Sequence, residues 1–362
     1  MNLTLTVKLL STTEQHDALL ATMIRFNAAC DAIADIALQH RLANKVRLQK
    51  LVYRDVRDRF GLSAQHTVRA ISKVVEAYKR DRSVKPTFKP HGAMVYDQRI
   101  LSWKGLDRVS ILSLSGRLLI PVAFGAYQAA RLDRIRGQAD LIYRDGTFYL
   151  CVVVDVPEPE VTEGTGVLGV DMGIANLAVD SDGEMHSGAK VDAKRRHYER
   201  LRAGLQRVGT KSSRRKLKRI SRRERRFKKD TNHVIGKHLV AKAHDTGRDL
   251  AIEDLQGIRA RITVRRASRS RHSKWAFDEL RQFVTYKAAL AGTRLHVVDA
   301  RHTSQTCSRC GCVDKRNRPE QSVFHCISCG HVCHADVNAA ANIAAKALVI
   351  APMVSDTAAT SP

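Results

Sequence analysis

The chain opens with NLTLTVKL (residues 2–9), in which apolar and polar positions alternate as they do in a half-buried strand. Ser11 and Glu14 have capping-box spacing, and helical patterning then runs through DALLATMIRFNAACDAIADIALQH. Two more helical segments are expected near 47–60 and 64–81. From 94 to 156 the period changes to short alternating runs, with Asp145-Gly146 as a hairpin turn. This predicts a small β-domain whose first strand is N-terminal and which carries a helical insertion over about 11–82. PEPEVTEGTG (157–166) reads as a linker.

Beyond it, VLGVD and IANLAVD form a natural strand pair, and DLAIEDL (249–255) and RLHVVDA (294–300) read as buried strands. Between them, 194–229 is a long basic helical stretch, with a break expected around Gly209 to Ser213. A cysteine-rich insertion and the helix DVNAAANIAAKALVI follow, and a tail from about 351 is expected to be disordered. No internal repeat is seen. The N-terminus lacks the pattern of a signal peptide, and no run reaches the roughly 18 apolar residues of a membrane span. A cytoplasmic, reducing compartment is therefore expected, and that of a prokaryote suffices, with the chain at the nucleoid when bound to DNA.

Charge changes the picture. Across 362 residues there are 62 Lys and Arg against 36 Asp and Glu, a net charge of +26. A polyanionic partner follows, and nucleic acid is the leading candidate. Residues 194–229 hold 18 Lys or Arg in 36 positions, with only Glu199 and Glu224 opposing. RARITVRRASRSRHSK (259–274) adds seven basic residues and no acid. Solvated helix faces usually mix signs at i,i+4, and these stretches do not. The residues expected to contact phosphates are Arg195, Arg196, Arg214, Arg215, Lys216, Lys218, Arg219, Arg222 and Arg223. Arg265, Arg266, Arg269 and Arg271 are their counterparts in the second stretch. Tyr198, Phe227 and Trp275 offer little base stacking, which favours a duplex or structured RNA over a single strand.

Three acids share a setting. Asp171 ends an apolar strand, Glu253 ends another, and Asp336 opens the last helix. Converging carboxylates suit Mg²⁺, a hard cation that takes oxygen ligands, and a pair of such ions can serve phosphodiester hydrolysis. Plainer roles exist: Asp336 as a helix N-cap, and Glu253 as the partner of an arginine. Asp171, between two apolar runs, has little local reason to be there.

CSRC (307–310) and CISC (326–329) stand 15 residues apart, the spacing of a zinc ribbon. Four thiolates would close one structural Zn²⁺ site. Cys312, Cys333, His325, His331 and His334 lie nearby and read as ordinary packing or surface residues, and Cys30 and Cys151 as inert core.

Taken in order, GVDMGIANLAV, AIEDL, TSQTCSRCG with the second CxxC, and DVNAAANIA make residues 165–347 resemble the TnpB (OrfB) family. These are transposon-encoded, RNA-guided DNA nucleases related to type V CRISPR effectors. The resemblance implies a multidomain α+β chain. Residues 1–10 and 83–160 would form a wedge-like β-domain and 11–82 a helical recognition insertion. Residues 161–300 and 334–350 would form a RuvC-type, RNase H-like nuclease domain, 301–333 a zinc ribbon, and 351–362 a tail. It implies that Asp171, Glu253 and Asp336 are catalytic ligands of two Mg²⁺ ions, and that Cys307, Cys310, Cys326 and Cys329 hold one Zn²⁺. It also implies a guide RNA from the element's own end, a double-stranded DNA target beside a short motif, no membrane, and a monomer within the ribonucleoprotein. One departure is His334, where members often carry an acid. The alternatives are a type V CRISPR effector, a non-cleaving regulator or transposition accessory protein, and a strand-joining recombinase.

Overall fold

A computed structural model describes residues 1–255 and 277–350. The chain divides into two compact units, Met1–Pro157 and Glu158–Pro362. The first contains β1 (Asn2–Leu9), α1 (Thr13–Gln39), α2 (Lys45–Phe60), α3 (Ala64–Arg80), β2 (Met94–Tyr96), β3 (Leu101–Lys104), β4 (Arg108–Ser113), β5 (Gly116–Ala123), the single-turn α4 (Ala126–Ala129), β6 (Ile135–Arg144) and β7 (Thr147–Asp155). The strands form one antiparallel sheet in the order β2-β6-β7-β1-β5-β4-β3. Its two edges are consecutive in the chain, and Tyr96 Oη on β2 donates to Leu112 O on β4 at 3.0 Å, so the sheet curls into a nearly closed barrel. Alternation in β1 puts Leu5, Val7 and Leu9 inside. Asp145 and Gly146, at φ +52° and +81°, make the tight hairpin between β6 and β7.

Leu19, Met23, Phe26, Cys30 and Ile33 bury one face of α1 in the same core as the strands. The capping box lies one residue later than expected. Thr12 Oγ1 accepts the Gln15 N–H at 3.3 Å, and Gln15 Oε1 accepts the Thr12 N–H at 3.1 Å. Gln15 Nε2 also donates to Leu119 O on β5, which the carboxylate of Glu14 could not do. Cys151 departs from its expected place too. Phe148, Leu150, Val152 and Val154 take the inward positions of β7, leaving Cys151 half-exposed beside Thr6.

His66 on α3 is fully buried, edge-on to Tyr96, with neither ring nitrogen hydrogen-bonded. Burial pulls it down from 6.5 to about 4, against the charge of Asp97. The unfolded chain therefore takes up a proton that the folded chain refuses. Stability contributed by His66 is complete above about 6.5 and is lost as pH falls toward about 4. The loss is on the order of 3 kcal/mol. His66→Leu should flatten the fall in the urea midpoint between neutral pH and the lower end of this window. A wild-type midpoint already flat there would refute this account.

The second unit contains β8 (Val167–Asp171), β9 (Asn176–Asp180), β10 (Met185–Ser187), α5 (Ala189–Val208), α6 (Lys211–Asp245), β11 (Asp249–Glu253), α7 (Phe277–Ala291), β12 (Leu295–Val298), β13 (Val323–His325), β14 (Val332–His334) and α8 (Ala335–Ile350). Its main sheet has the order β10-β9-β8-β11-β12. β8, β11 and β12 run parallel, while β9 and β10 are antiparallel additions. Leu250 and Ile252 face α6 and α7, whereas Ala251 faces α8, so the sheet is covered on both sides. This is the mixed, RuvC-like sheet of an α+β chain, as expected. Gly209, at φ +66°, ends α5, and Thr210 caps α6 by accepting the Ser213 N–H at 3.2 Å.

The helix α8 lies directly on β8 because residue 169 has no side chain. A Cβ there would sit 2.1 Å from Ala340 O and 2.6 Å from Ala344 N. Gly169→Ala must push α8 off the sheet, with a cost of about 3 kcal/mol. A melting temperature within a degree or two of wild type would contradict this packing.

Candidate active site and metal centre

Asp171 and Glu253 end adjacent parallel strands, one step beyond the Val170–Ile252 pair. Asp336 enters from the first turn of α8. Glu253 and Asp336 both come near enough to act on Asp171. Burial pushes Asp171 up to about 8, and the charges of Glu253 and Asp336 add to this, with Arg318 opposing. Burial also raises Glu253, opposed by the Thr303 hydroxyl, which donates to Glu253 Oε1 at 2.5 Å, and by Lys346. Asp336 accepts from Asn176 Nδ2 and from an Arg318 guanidinium nitrogen, each at 3.0 Å.

Asp336 is not the N-cap of α8. That role falls to His334, whose Nδ1 accepts the Asp336 N–H at 3.2 Å. An imidazole nitrogen here does what an acidic side chain does at a helix start, and the carboxylate of Asp336 takes Asn176 and Arg318 as its donors instead. Arg318, Asn176 and Thr303 carry no sequence signal of their own, since each reaches its carboxylate across a long stretch of chain.

The donor set fits a hard cation: carboxylates held together against their mutual repulsion gain most from one. They are more open than a closed cage. Among the described residues, Cys307, Cys310, Cys326 and Cys329 are the only group of three or more possible ligands with all their ligand atoms within 4.8 Å of one another. Cys307 and Cys329 sulfurs lie 3.7 Å apart, and those of Cys310 and Cys326 3.6 Å. Tetrahedral zinc with bonds of about 2.3 Å spaces its sulfurs by about 3.8 Å, so the four could hold such a metal. The N–H groups of Cys329 and Ser328 pull the Cys326 thiol down, while the other thiols of the cluster push Cys310 up. Gly311 and Gly330, at φ +76° and +70°, close the two knuckles.

Buried Asn317 ties the knuckles together. It donates to Gln305 O and Cys312 O and accepts the Ile327 N–H, at 2.9 to 3.0 Å. Asn338 and Asn342 of α8 bond Ser308 N, Thr306 O and Thr303 O, docking the module on the helix that carries Asp336. Cys312 and Cys333 pack at the margin of this small core, outside the cluster of four. His325 is exposed and His331 half-buried.

The basic helices are only partly as expected. Arg214, Arg215, Lys216, Lys218, Arg219, Arg222 and Arg223 are exposed on α6. On α5, however, signs do mix. Arg195 pairs with Asp192 and Glu199, and Arg196 with Asp192, because Asp192 stands one turn before the basic run. Buried Glu224 likewise holds Arg202. Arg265, Arg266, Arg269, Arg271 and Trp275 lie outside the described residues. None of the described helices is long and apolar enough to cross a membrane.

A RuvC-like sheet with Asp171 and Glu253 at its strand ends, Asp336 on the helix beside it and a four-cysteine cluster define a class, and comparison with known proteins shows what the chain is similar to. Residues 149–259 match the OrfB_IS605 model, described as "Probable transposase", and 277–343 match the Cas12f1-like TNB domain. The chain is 32% identical to the CRISPR-associated endodeoxyribonuclease Cas12f1 of Sulfoacidibacillus thermotolerans, over 56% of this chain and 50% of that one. It is 28% identical to a TnpB-like protein of Methanocaldococcus jannaschii, over 50% of this chain and 68% of that one. The fold is similar to that of the mini-RNA-guided endonuclease CRISPR-Cas phi3, with a TM-score of 0.60 and 10% identity over 98% of this chain and 93% of that one. The chain is thus similar to the TnpB (OrfB) proteins and to the Cas12f proteins. It spans half of the Sulfoacidibacillus relative's length.

Proposed function

We propose that this chain is an RNA-guided DNA endonuclease of a transposable element. The observation that supports this reading is that Asp171, at the end of β8, is raised first by burial and then by the nearby charges of Glu253 on β11 and Asp336 on α8. These three would hold two Mg²⁺ ions, which when bound supply Lewis-acid activation of water and stabilise the leaving oxygen of a phosphodiester. Thr303 and Asn176 orient Glu253 and Asp336 by hydrogen bonds. Arg318 puts a fixed positive charge at the same edge, where a scissile phosphate would bring negative charge. The four cysteines would hold one structural Zn²⁺, far too enclosed in sulfur to accept substrate.

The first unit and its helices would read a short motif beside the target and hold the heteroduplex, while base pairing selects the sequence. The exposed arginines of α6 would track RNA phosphates. The test is to express the chain with its flanking DNA, sequence the RNA that co-purifies, and challenge the complex with matching duplex. A discrete RNA and cleavage with Mg²⁺ but not EDTA are expected. An array-derived RNA would make it a CRISPR effector; heterogeneous nucleic acid and no cleavage would reject the guided-nuclease reading.

A further inference from the structure

The basic stretches contain few aromatics, but the fold brings others to them. α6 and α7 approach closely at Gly236, where a Cβ would lie 3.5 Å from Phe283 Cβ and 3.6 Å from Val284 N. This sets Phe283 flat against His233, with ring centroids 3.8 Å apart and planes 15° from parallel. Tyr286 meets Phe283 edge-on at 6.1 Å, its hydroxyl 3.4 Å from His233 Nδ1. All three rings are half-buried. The Lys229 ammonium lies 5.9 Å from the Phe283 ring centre and that of Lys287 5.3 Å from the Tyr286 ring centre. Two acids are near: Glu279, which accepts from Asn232 Nδ2 at 3.1 Å, and exposed Asp230.

Helix packing explains a Phe at 283. It does not explain a histidine as the stacking partner, or lysines over the rings. The setting does. Arg219, Arg222, Arg226, Lys229, His233 and Lys237 recur at three- and four-residue steps along one stripe of α6. They span five helical turns, about 27 Å. The aromatic patch thus lies toward one end of a row of basic residues. Phosphate contacts in line with a π-face are the requirements of a strand with unpaired bases, since a duplex presents no base face to stack.

We propose that His233, Phe283 and Tyr286 form a platform on which an unpaired base of an RNA strand stacks, its phosphates running along α6. RNA is favoured over the strand being cut because of position. The platform lies on the sheet face covered by α6 and α7, whereas the carboxylates gather at the strand ends and Asp336 rides on α8, on the opposite face. The choice of RNA rests on the guided-nuclease reading; the stacking itself does not.

The test uses the full chain without added Mg²⁺ and a short oligoadenylate RNA carrying one central 2-aminopurine, alongside the same sequence as DNA and a short RNA duplex. Binding of the single-stranded RNA should quench the 2-aminopurine. Phe283→Leu should abolish the quench and weaken that RNA about tenfold, with duplex binding changed less than about twofold. Lys229→Gln, an exposed change that leaves the stack in place, should keep the quench and lower the salt slope by about one phosphate contact. Equal losses for single strand and duplex, or unchanged binding by Phe283→Leu, would overturn the platform. A loss confined to the DNA oligonucleotide would overturn the assignment to RNA. Because nothing is cleaved in this assay, an inactive nuclease with intact quenching would count against the proposed function and leave the platform standing.

Discussion

Asp171→Asn is expected to abolish Mg²⁺-dependent cleavage and, in metal-free buffer, to leave the chain more stable than the wild type. The two effects have one cause. Asp171 is held half-buried near Glu253 and Asp336, where desolvation and like charge push it from 3.8 up to about 8. That arrangement is unfavourable for folding and useful for holding cations, a trade common at functional sites. Losing one carboxylate removes several kcal/mol of metal-assisted stabilisation, on the order of three decades in rate.

The stability gain follows from linkage. A carboxyl whose folded value is raised contributes stability that is present below about 3.8 and lost as pH rises toward about 8. At neutral pH, Asp171 therefore opposes folding by about 4 kcal/mol, which the amide does not. In EDTA the variant should melt higher at neutral pH, and the difference should shrink on acidification. Mg²⁺ should raise the melting temperature of the wild type more than that of the variant. A variant that cuts at the wild-type rate would remove Asp171 from the active site, and one that melts lower in EDTA would refute the electrostatic account.

The second large effect is expected from zinc. Stripping the metal, or changing Cys307 to Ser, should unfold the ribbon and lower cleavage at least tenfold. Structural zinc supplies on the order of 10 kcal/mol or more to modules of this size, and the remaining core here is small: Phe324, Ala335 and the cysteines themselves. The coupling to activity runs through particular bonds. Arg318, which meets Asp336, stands between the two knuckles, and Asn338 and Asn342 hold α8 to Ser308, Thr306 and Thr303. Loss of the ribbon releases all of them, and Thr303 with its bond to Glu253. Zinc content, amide exchange over 301–345 and cleavage should fall together. Protection at the knuckles that survives chelation would show that the cysteines are not a folding site.

Much of the fold was legible because its signals are local. The alternation of β1, the Asp145-Gly146 turn, the break at Gly209 and the CxxC pairs are each decided by neighbours within a few residues. Errors were local too: the cap moved from Ser11 to Thr12 because the amide of Gln15 could also reach Leu119. The reading of α5 as unmixed charge failed because Asp192 lay just before the basic run.

The candidate site divides along the same line. Asp171, Glu253 and Asp336 stand out in the sequence because a carboxylate closing an apolar run has no cheap local explanation. Arg318, Asn176 and Thr303 do not stand out, since polar residues in loops are ordinary. They matter only through partners 18, 160 and 50 positions away. The same holds for Phe283, which looks like simple helix core until Gly236 lets α7 close on α6 and sets it against His233. By itself, then, the sequence determined which segments are strands and helices, where the thiols and unexplained carboxylates fall, and that the chain carries a large positive charge. All of these depend on short-range periodicity, spacing and net charge. Only the tertiary structure decided which carboxylates meet, which cation and hydroxyl orient them, and which rings stack beside the basic helix, because such contacts depend on three-dimensional packing between segments far apart in the chain.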